Sequence, residues 1–532
     1  MAADVAQLDK RAGQLIAQRS RHESVWRDCF LHSWPLRAQG FSGEDLDAIS
    51  GQTKRADLLD STSTDAGNIL VSALVGGMTP ANQRWPALGV DGADERDKAW
   101  LDEKSEVVWR LIHQANFDAV SPEVMTDVVG GGWGAMFVGE DAEVGGYLFD
   151  WWPAGTVYAT SSKAGGPLDT FLRVYKLTAE QCVSKFGENM VSDTVRKLAM
   201  EKPDDEVELR WMIYPRRDTK PGSKLASNLP IASCTWEVGT KKLVRESGFH
   251  EQPVIAPRWS LLPNSAYGVG PIYDALPDIR QLNNLLFSEN AAVDLAIAGM
   301  WIAEDDGVLN PRTVKVGPRK VIAANSVDSM KELKSGADFN VVFTKKDQLQ
   351  SAIRRTLMAE QLQPPTDMKM TATEWLGRVA LLRQLLGPRF GRLQSEYLQP
   401  LIARCFGLAL RAGALGPLPD TLRGKVASVQ YINPLARAQR LEEVAAMDRY
   451  EADLMAKQPI RPEVTDLYLW DDAQRHKATL LGVPLKLIPD KRQVEATRRA
   501  RDEQMQEQRG QAMQDQAMTA TIDASAQRMA RA

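Results

Sequence analysis

WSLLPNSAYGVGPIYDALPDIRQLNNLLFSENAAVDLAIAG, residues 259–299, is where the chain changes texture. Its first dozen residues break short apolar runs with Pro, Gly, Asn and Ser, the punctuation of strands and turns. From Tyr273 onward the pattern becomes helical, and Ile279, Leu282, Leu286, Val293 and Ile297 fall near one side of a helix. At 1.5 Å per residue this helix is about 40 Å long. Amide and small residues dilute its apolar stripe.

Upstream, residues 133–254 hold short apolar runs broken by glycine: WGAMFVGE, GGYLFDWWP, VELRWMIYP and IASCTWEVG. These read as strands of an antiparallel or mixed sheet, with one or two helices inserted, as in LTAEQCVSKFG. Ahead of them a first helix is expected from about Val5 into residues 26–30, with Leu8, Leu15 and Ile16 on its apolar face. A second lies in DSTSTDAGNILVSALVGGMTPANQRWPAL, residues 60–88. Asp60 or Ser61 can cap it, and Ala66, Ile69, Leu70, Ala73 and Leu74 share a face. Gly76 and Gly77 are expected to end it. The first 265 residues therefore read as α+β.

Downstream, a mostly extended insert is expected over residues 300–343, with MWIAEDDG, TVKVGPRKVIAA and DFNVVF, followed by a helix over 346–362. EQLQPPTDMKMTATEWLGR, residues 360–378, then interrupts the helical pattern, because Pro364 and Pro365 cannot continue it. Periodicity resumes at Thr371 and runs to 415 through Leu376, Val379, Leu382, Leu386, Phe390, Leu393, Tyr397, Leu401, Cys405 and Leu408. Gly387 with Pro388, and Pro400, are expected to kink this helix without ending it. A strand, KVASVQYI, leads to Asn433 as N-cap and Pro434 at the first position of another helix. The last forty or so residues, rich in Gln, Ala, Arg and Met, would be a marginal helix or disordered in isolation.

Several chemistries find no support in these residues. VVGGGWGAMFVGE is glycine-rich but lacks both the Gly-Lys-Ser/Thr of a phosphate loop and a dinucleotide-binding spacing, so it reads as a turn into a strand. The five histidines form no HExxH pair, and VDGADERD and AEDDGVLN read as solvated turns rather than calcium loops. No catalytic residue, metal or cofactor is expected. The 532 residues favour about two to four domains, 44% hydrophobic residues favour folding, and the net charge of −4 argues against a strongly basic nucleic-acid binder. Cys29, Cys182, Cys234 and Cys405 are scattered without a CxxC pair, which fits a reducing compartment. Neither a signal peptide nor a membrane span is expected.

Four stretches together resemble the portal, or head-to-tail connector, proteins of short-tailed double-stranded DNA bacteriophages: residues 60–88, 258–285, 371–413 and 431–450, in the family's order. The resemblance implies an α+β, predominantly helical subunit of a homododecameric ring at one capsid vertex. It implies an α/β wing (1–265), a helical stem (266–299 and 346–362) flanking a small extended clip (300–345), and a tunnel loop (363–370). A kinked wing helix with its following strand (371–430) and a helical crown with a possible C-terminal barrel (431–532) complete the subunit.

The implied partners are non-specifically bound double-stranded DNA in the channel, major capsid and scaffolding proteins, the packaging terminase, and tail adaptor or tail tube proteins. The implied location is the virion, with assembly in the host cytoplasm, and no enzyme activity is implied. In the tunnel loop, Lys369 would meet phosphate, Met368 and Met370 would give adaptable apolar surface, and Pro364 and Pro365 would restrict motion. Arg312, Lys315, Arg319, Lys320, Lys345, Lys346, Arg354 and Arg355 are further channel or clip candidates. Sparse positive charge suits a channel through which DNA must slide, since each phosphate contact adds affinity. A helical adaptor without a channel and a DNA-processing enzyme with dispersed metal ligands are the alternative readings.

Overall fold

The structure, a computed structural model, describes residues 4–41, 57–82, 84–89, 95–141, 145–163, 165–219, 225–263, 265–298, 300–303, 330–333, 339–362, 387, 389–422, 428–431, 434–481, 483, 488–489, 493–506 and 508. The chain forms two compact units, residues 1–85 with 108–416, and residues 86–107 with 417–532. Its helices are α1 (Val5–Leu31), α2 (Thr62–Met78), α3 (Glu95–Gln114), α4 (Phe117–Gly131), α5 (Ala179–Phe186), α6 (Asp193–Glu201), α7 (Pro271–Ala298), α8 (Phe339–Thr356), α9 (Ala359–Leu362), α10 (Gln399–Arg411), α11 (Pro434–Lys457) and α12 (Trp470–Leu481). Its strands are β1 (Pro86–Gly89), β2 (Ala135–Glu140), β3 (Tyr147–Trp152), β4 (Val157–Thr160), β5 (Thr170–Thr178), β6 (Glu206–Pro215), β7 (Ile231–Glu237), β8 (Leu243–Phe249), β9 (Val254–Ile255), β10 (Ser260–Leu261), β11 (Gly268–Val269), β12 (Met300–Ala303), β13 (Met330–Leu333) and β14 (Ser428–Tyr431). Helix and strand mix as the α+β reading requires.

In the larger unit, β4 to β8 form a five-stranded sheet in sequential order, and β3-β2-β9 form a second. All of these pairings are antiparallel. Because neighbouring residues of a strand point to opposite faces, each face of the large sheet has its own core. Leu172, Met212, Cys234 and Trp236 pack against Leu8, Ala12 and Leu15 of α1. Phe171 and Ile213 face the other way, into a cluster with Trp26, Phe30, Trp133 and Trp152. The two helices inserted between β5 and β6, as anticipated, cover Leu209 and Val244 with Cys182 and Val195.

α1 is also locked by a residue without an apolar role. The fully buried Arg19 donates to the carbonyl oxygens of Ala154, Gly155 and Val157 at 2.9, 2.8 and 2.7 Å and pairs with Glu23 at 2.7 Å. Its guanidinium lies 3.8 Å from the Tyr158 ring centroid. The backbone comes so close here that a Cβ on Gly155 would sit 2.1 Å from the Gln39 carbonyl oxygen.

Local expectations are corrected at several points. The Asp60 carboxylate does accept the Thr62 N–H, at 2.8 Å, but α2 continues through Gly76 and Gly77 to Met78. A helical glycine costs only about 1 kcal/mol, and buried Leu74 and Met78 hold this last turn in place. The glycine-rich stretch after residue 127 is the end of α4, with Gly132 at φ +86°, leading into β2. α8 starts at Phe339, within the segment expected to be extended, and stops at Thr356. Met358, at φ +59°, separates it from the single turn α9, so the one helix expected over 346–362 is two.

At Pro400 the helical path widens into a π turn, Gln394–Leu398, and continues as α10. Proline has no N–H for the carbonyl four residues earlier, and the wider turn accommodates that loss without ending the helix. Residues 371–386, Pro388 and Asn433 lie outside the described residues, whereas Pro434 does open α11.

In the smaller unit β14 pairs with β1, from Pro86 opposite Tyr431 to Gly89 opposite Ser428. Asp97, expected in a solvated turn, is buried and accepts the Thr421 hydroxyl at 2.6 Å. Tyr468 stacks edge-on against Tyr450 and donates to Glu451, which joins α11 to the segment before α12. No helix among the described residues is long and apolar enough to cross a membrane.

Candidate functional site

α7 and α8 pack along each other. Ile272, Ala275, Leu276, Ile279, Leu282 and Leu286 form the buried stripe of α7, and Leu349 and Ile353 that of α8, extended by Leu357 just beyond its end. Polar bonds tie the pair to the body of the unit. Arg280 pairs with Asp28 of α1, Asn283 accepts the Leu59 N–H at 2.9 Å, and Gln350 donates to Asp60 at 2.9 Å. Asp60 thereby both caps α2 and receives α8. β12 and β13 form an antiparallel pair between the two helices, from Met300 opposite Leu333 to Ala303 opposite Met330.

Among the described side chains of α7, Leu286 is the last that is buried. Val293, expected on the apolar stripe, is exposed, as are Tyr273 and Phe287, and Phe343 on α8. Phe287 retains 70% of its accessible surface. Tyr273 and Phe287 lie off the buried stripe, whereas Val293 continues its line beyond Leu286 and is exposed there.

Of the candidate cations, Lys345, Arg354 and Arg355 are exposed on α8 and Lys346 is half-buried. They do not form one basic face. At about 100° per residue, Lys345 and Arg354 lie on opposite flanks of the helix, and Arg355 points away from the buried stripe. Arg312, Lys315, Arg319 and Lys320 lie outside the described residues, as does the whole loop 363–370 with Pro364, Pro365, Met368, Lys369 and Met370.

Two charge networks, one buried and one partly exposed, brace the helix that follows. Arg258 donates to both Glu396 carboxylate oxygens at 2.9 and 2.7 Å and to the carbonyl oxygens of Ala266 and Gly166 at 2.9 and 3.0 Å. Glu396 sits in the π turn, so the distortion at Pro400 presents the acid to Arg258. Next along, Glu251 takes Arg404 at 2.9 Å and Arg411 at 2.6 and 2.7 Å, and Arg404 also donates to the Val138 carbonyl at 3.2 Å. Burial works to raise the Glu251 pKa, but Arg411 and Arg404 outweigh it and hold the carboxyl below its ordinary value. These partners are 138 to 160 residues apart in sequence, and no local pattern marks them.

His113, read as a histidine without catalytic duty, orders a bend instead. Trp85 donates to its Nε2 at 3.0 Å, and Nδ1, 2.8 Å from Asp118, carries the proton that Asp118 accepts. Among the described residues no three His, Cys, Asp or Glu side chains converge as a metal site.

The described geometry is thus a braced body carrying a pair of long helices with a β pair at their junction. A family model described as "Bacteriophage head to tail connecting protein" matches residues 5–488. The "Probable portal protein" of Bordetella phage BPP-1 is 27% identical over 508 residues, covering 93% of this chain and 91% of its own. The "Portal protein" of Salmonella phage epsilon15 is 26% identical over 521 residues, covering 95% and 92%.

Proposed function

Since the chain belongs to the family of bacteriophage head to tail connecting proteins, we propose that it is the portal: a ring at one capsid vertex through which DNA is packaged and ejected. The observation that carries this reading is the family match across residues 5–488 together with two portal relatives aligned over nearly their full length. In the ring of about a dozen subunits, α7 and α8 are the stem beside the channel, and β12 with β13 belongs to the clip. Residues 1–265 build the wing, 371–430 cross it, and 431–532 form the crown. The exposed Tyr273, Phe287, Val293 and Phe343 support ring formation, since a neighbouring stem would remove them from water.

On this reading the protein is a virion component that contacts capsid and scaffolding proteins, then the packaging terminase, then the tail. The terminase ATPase supplies the energy of translocation. The loop 363–370 faces the DNA, with Lys369 as its phosphate contact. Deleting the loop is expected to spare ring assembly and to reduce packaging or retention of DNA.

Negative-stain electron microscopy with native mass spectrometry of the purified protein tests the reading. Closed rings of about a dozen copies with an axial hole are expected. Small closed dimers without a channel would favour a helical adaptor, and magnesium-dependent plasmid cleavage would favour an enzyme.

A further inference from the structure

A cavity of about 650 Å³ opens in the larger unit beside α1, and its charge is one-sided. Arg21 and His22 of α1, Ser161 and Lys163 after β4, and Arg258 and Ser265 around β10 line it. No Asp or Glu is among its described lining residues. Arg258 is neutralised by Glu396. Asp169, the acid of the turn that carries Lys163, is engaged by the Ser162 N–H at 3.0 Å. Arg21 and Lys163 are both exposed and form no ion pair with a described residue. Two cations lining one concavity favour an anion there.

The surroundings are organised to receive one. The Gly166 carbonyl accepts from buried Arg258 at 3.0 Å, and the Lys163 carbonyl accepts the Ser161 hydroxyl at 2.7 Å and the Gly166 N–H at 3.0 Å, so the turn bearing Lys163 is held from both sides. The Ser265 hydroxyl lies 3.2 Å from His22 Nε2, and the His22 ring rests on Trp26 and Tyr267 with centroids 5.6 and 5.7 Å away. The exposed Arg21 guanidinium and Lys163 ammonium are the groups that proteins direct at phosphate oxygens.

We infer that this cavity binds the phosphate group of a small molecule, of inorganic phosphate to mononucleotide size. The volume fits such a ligand, whereas a duplex is far too wide to enter. Neither a ring nor DNA in a channel is required for this inference, so it stands or falls apart from the portal reading.

The test is the rate at which an amine-acetylating reagent modifies Lys163, read by peptide mass spectrometry on the full chain at constant ionic strength. Inorganic phosphate and adenosine monophosphate, each exchanged for chloride, are expected to slow acetylation of Lys163. Lys176, an exposed lysine paired with Glu206 outside the cavity, should be unaffected. Arg21→Gln removes an exposed side chain and should raise the phosphate concentration needed by about tenfold or more, the effect of losing a charge-assisted bond. Equal slowing at Lys163 and Lys176, protection untouched by Arg21→Gln, or protection by a DNA duplex alone would each overturn the inference.

Discussion

Replacing Glu396 with alanine should leave Arg258 as an uncompensated buried cation. Arg258 keeps 2% of its side-chain surface exposed and makes four hydrogen bonds, two of them to Glu396. Each charge-assisted bond is worth about 1.5–3 kcal/mol, and breaking a buried pair from one side typically costs about 3–5 kcal/mol. The expected loss for Glu396→Ala is therefore about 3–5 kcal/mol. Urea unfolding of the full chain, followed by tryptophan fluorescence, measures it, because buried Trp133 and Trp259 adjoin Arg258 in the fold. The cycle is completed with Arg258→Met and the Arg258→Met/Glu396→Ala double variant, in which both charges disappear. The double variant should recover most of the loss. A Glu396→Ala loss under about 1 kcal/mol, or a double variant as unstable as the two single losses added together, would refute the claim that this pair braces the π turn.

Glu251 gives a pH signature. Its folded pKa is held below the ordinary value despite burial, so its contribution is complete above the unfolded carboxyl pKa of about 4.3 and is lost as pH falls through the folded value. Wild type should therefore lose more thermal stability between about pH 5 and pH 3 than Glu251→Gln, measured as Tm against pH. The thiols should be silent in the native protein: all four are buried, and burial pushes Cys29 to about 12 and Cys182 and Cys234 to about 11. Since the thiolate is the reactive form, a disulfide reagent at pH 8 should titrate four thiols only after denaturant is added. Lys345→Ala and Arg354→Ala should each change stability by no more than about 0.5 kcal/mol, as exposed substitutions do. On the portal reading, because the two lie on opposite flanks of α8, only one could face an axial duplex, so only one should alter the salt dependence of DNA retention in assembled particles.

What could be read from the sequence was what has a local cause. The alternation in VELRWMIYP and IASCTWEVG specifies two faces, and the sheet has those two faces. Helices α1 and α2 follow from apolar spacing, and Pro434 from the geometry of a first helical turn. The misses came where a local preference yields to packing. The β-branched Val341 and Val342 favour a strand yet lie in the first turn of α8, and Gly76 and Gly77 favour a stop yet lie within α2. Asp97 has the surroundings of a surface turn until Thr421, more than three hundred residues later, covers it. Arg258, Glu396, Arg404 and Glu251 are of the same kind, because nothing near any of them in sequence names its partner.

The same reasoning extends to the candidate site. The apolar residues of α7 fall into two sets: a buried stripe of Ile272, Ile279, Leu282 and Leu286, and exposed residues, Tyr273 and Phe287 off that stripe and Val293 on its line beyond Leu286. A single-chain rule counts the second set as noise in the first, because it assumes that every apolar residue is buried by its own fold. In the ring proposed above, that assumption would fail for residues that hold neighbours together. On that reading their amide and small companions, Asn284, Ser288 and Ala291, would let two stems approach closely. Phe287 is thus the position at which burial within one chain and burial between chains make opposite predictions: Phe287→Ala should leave the fold of the isolated subunit intact and weaken its association with the next.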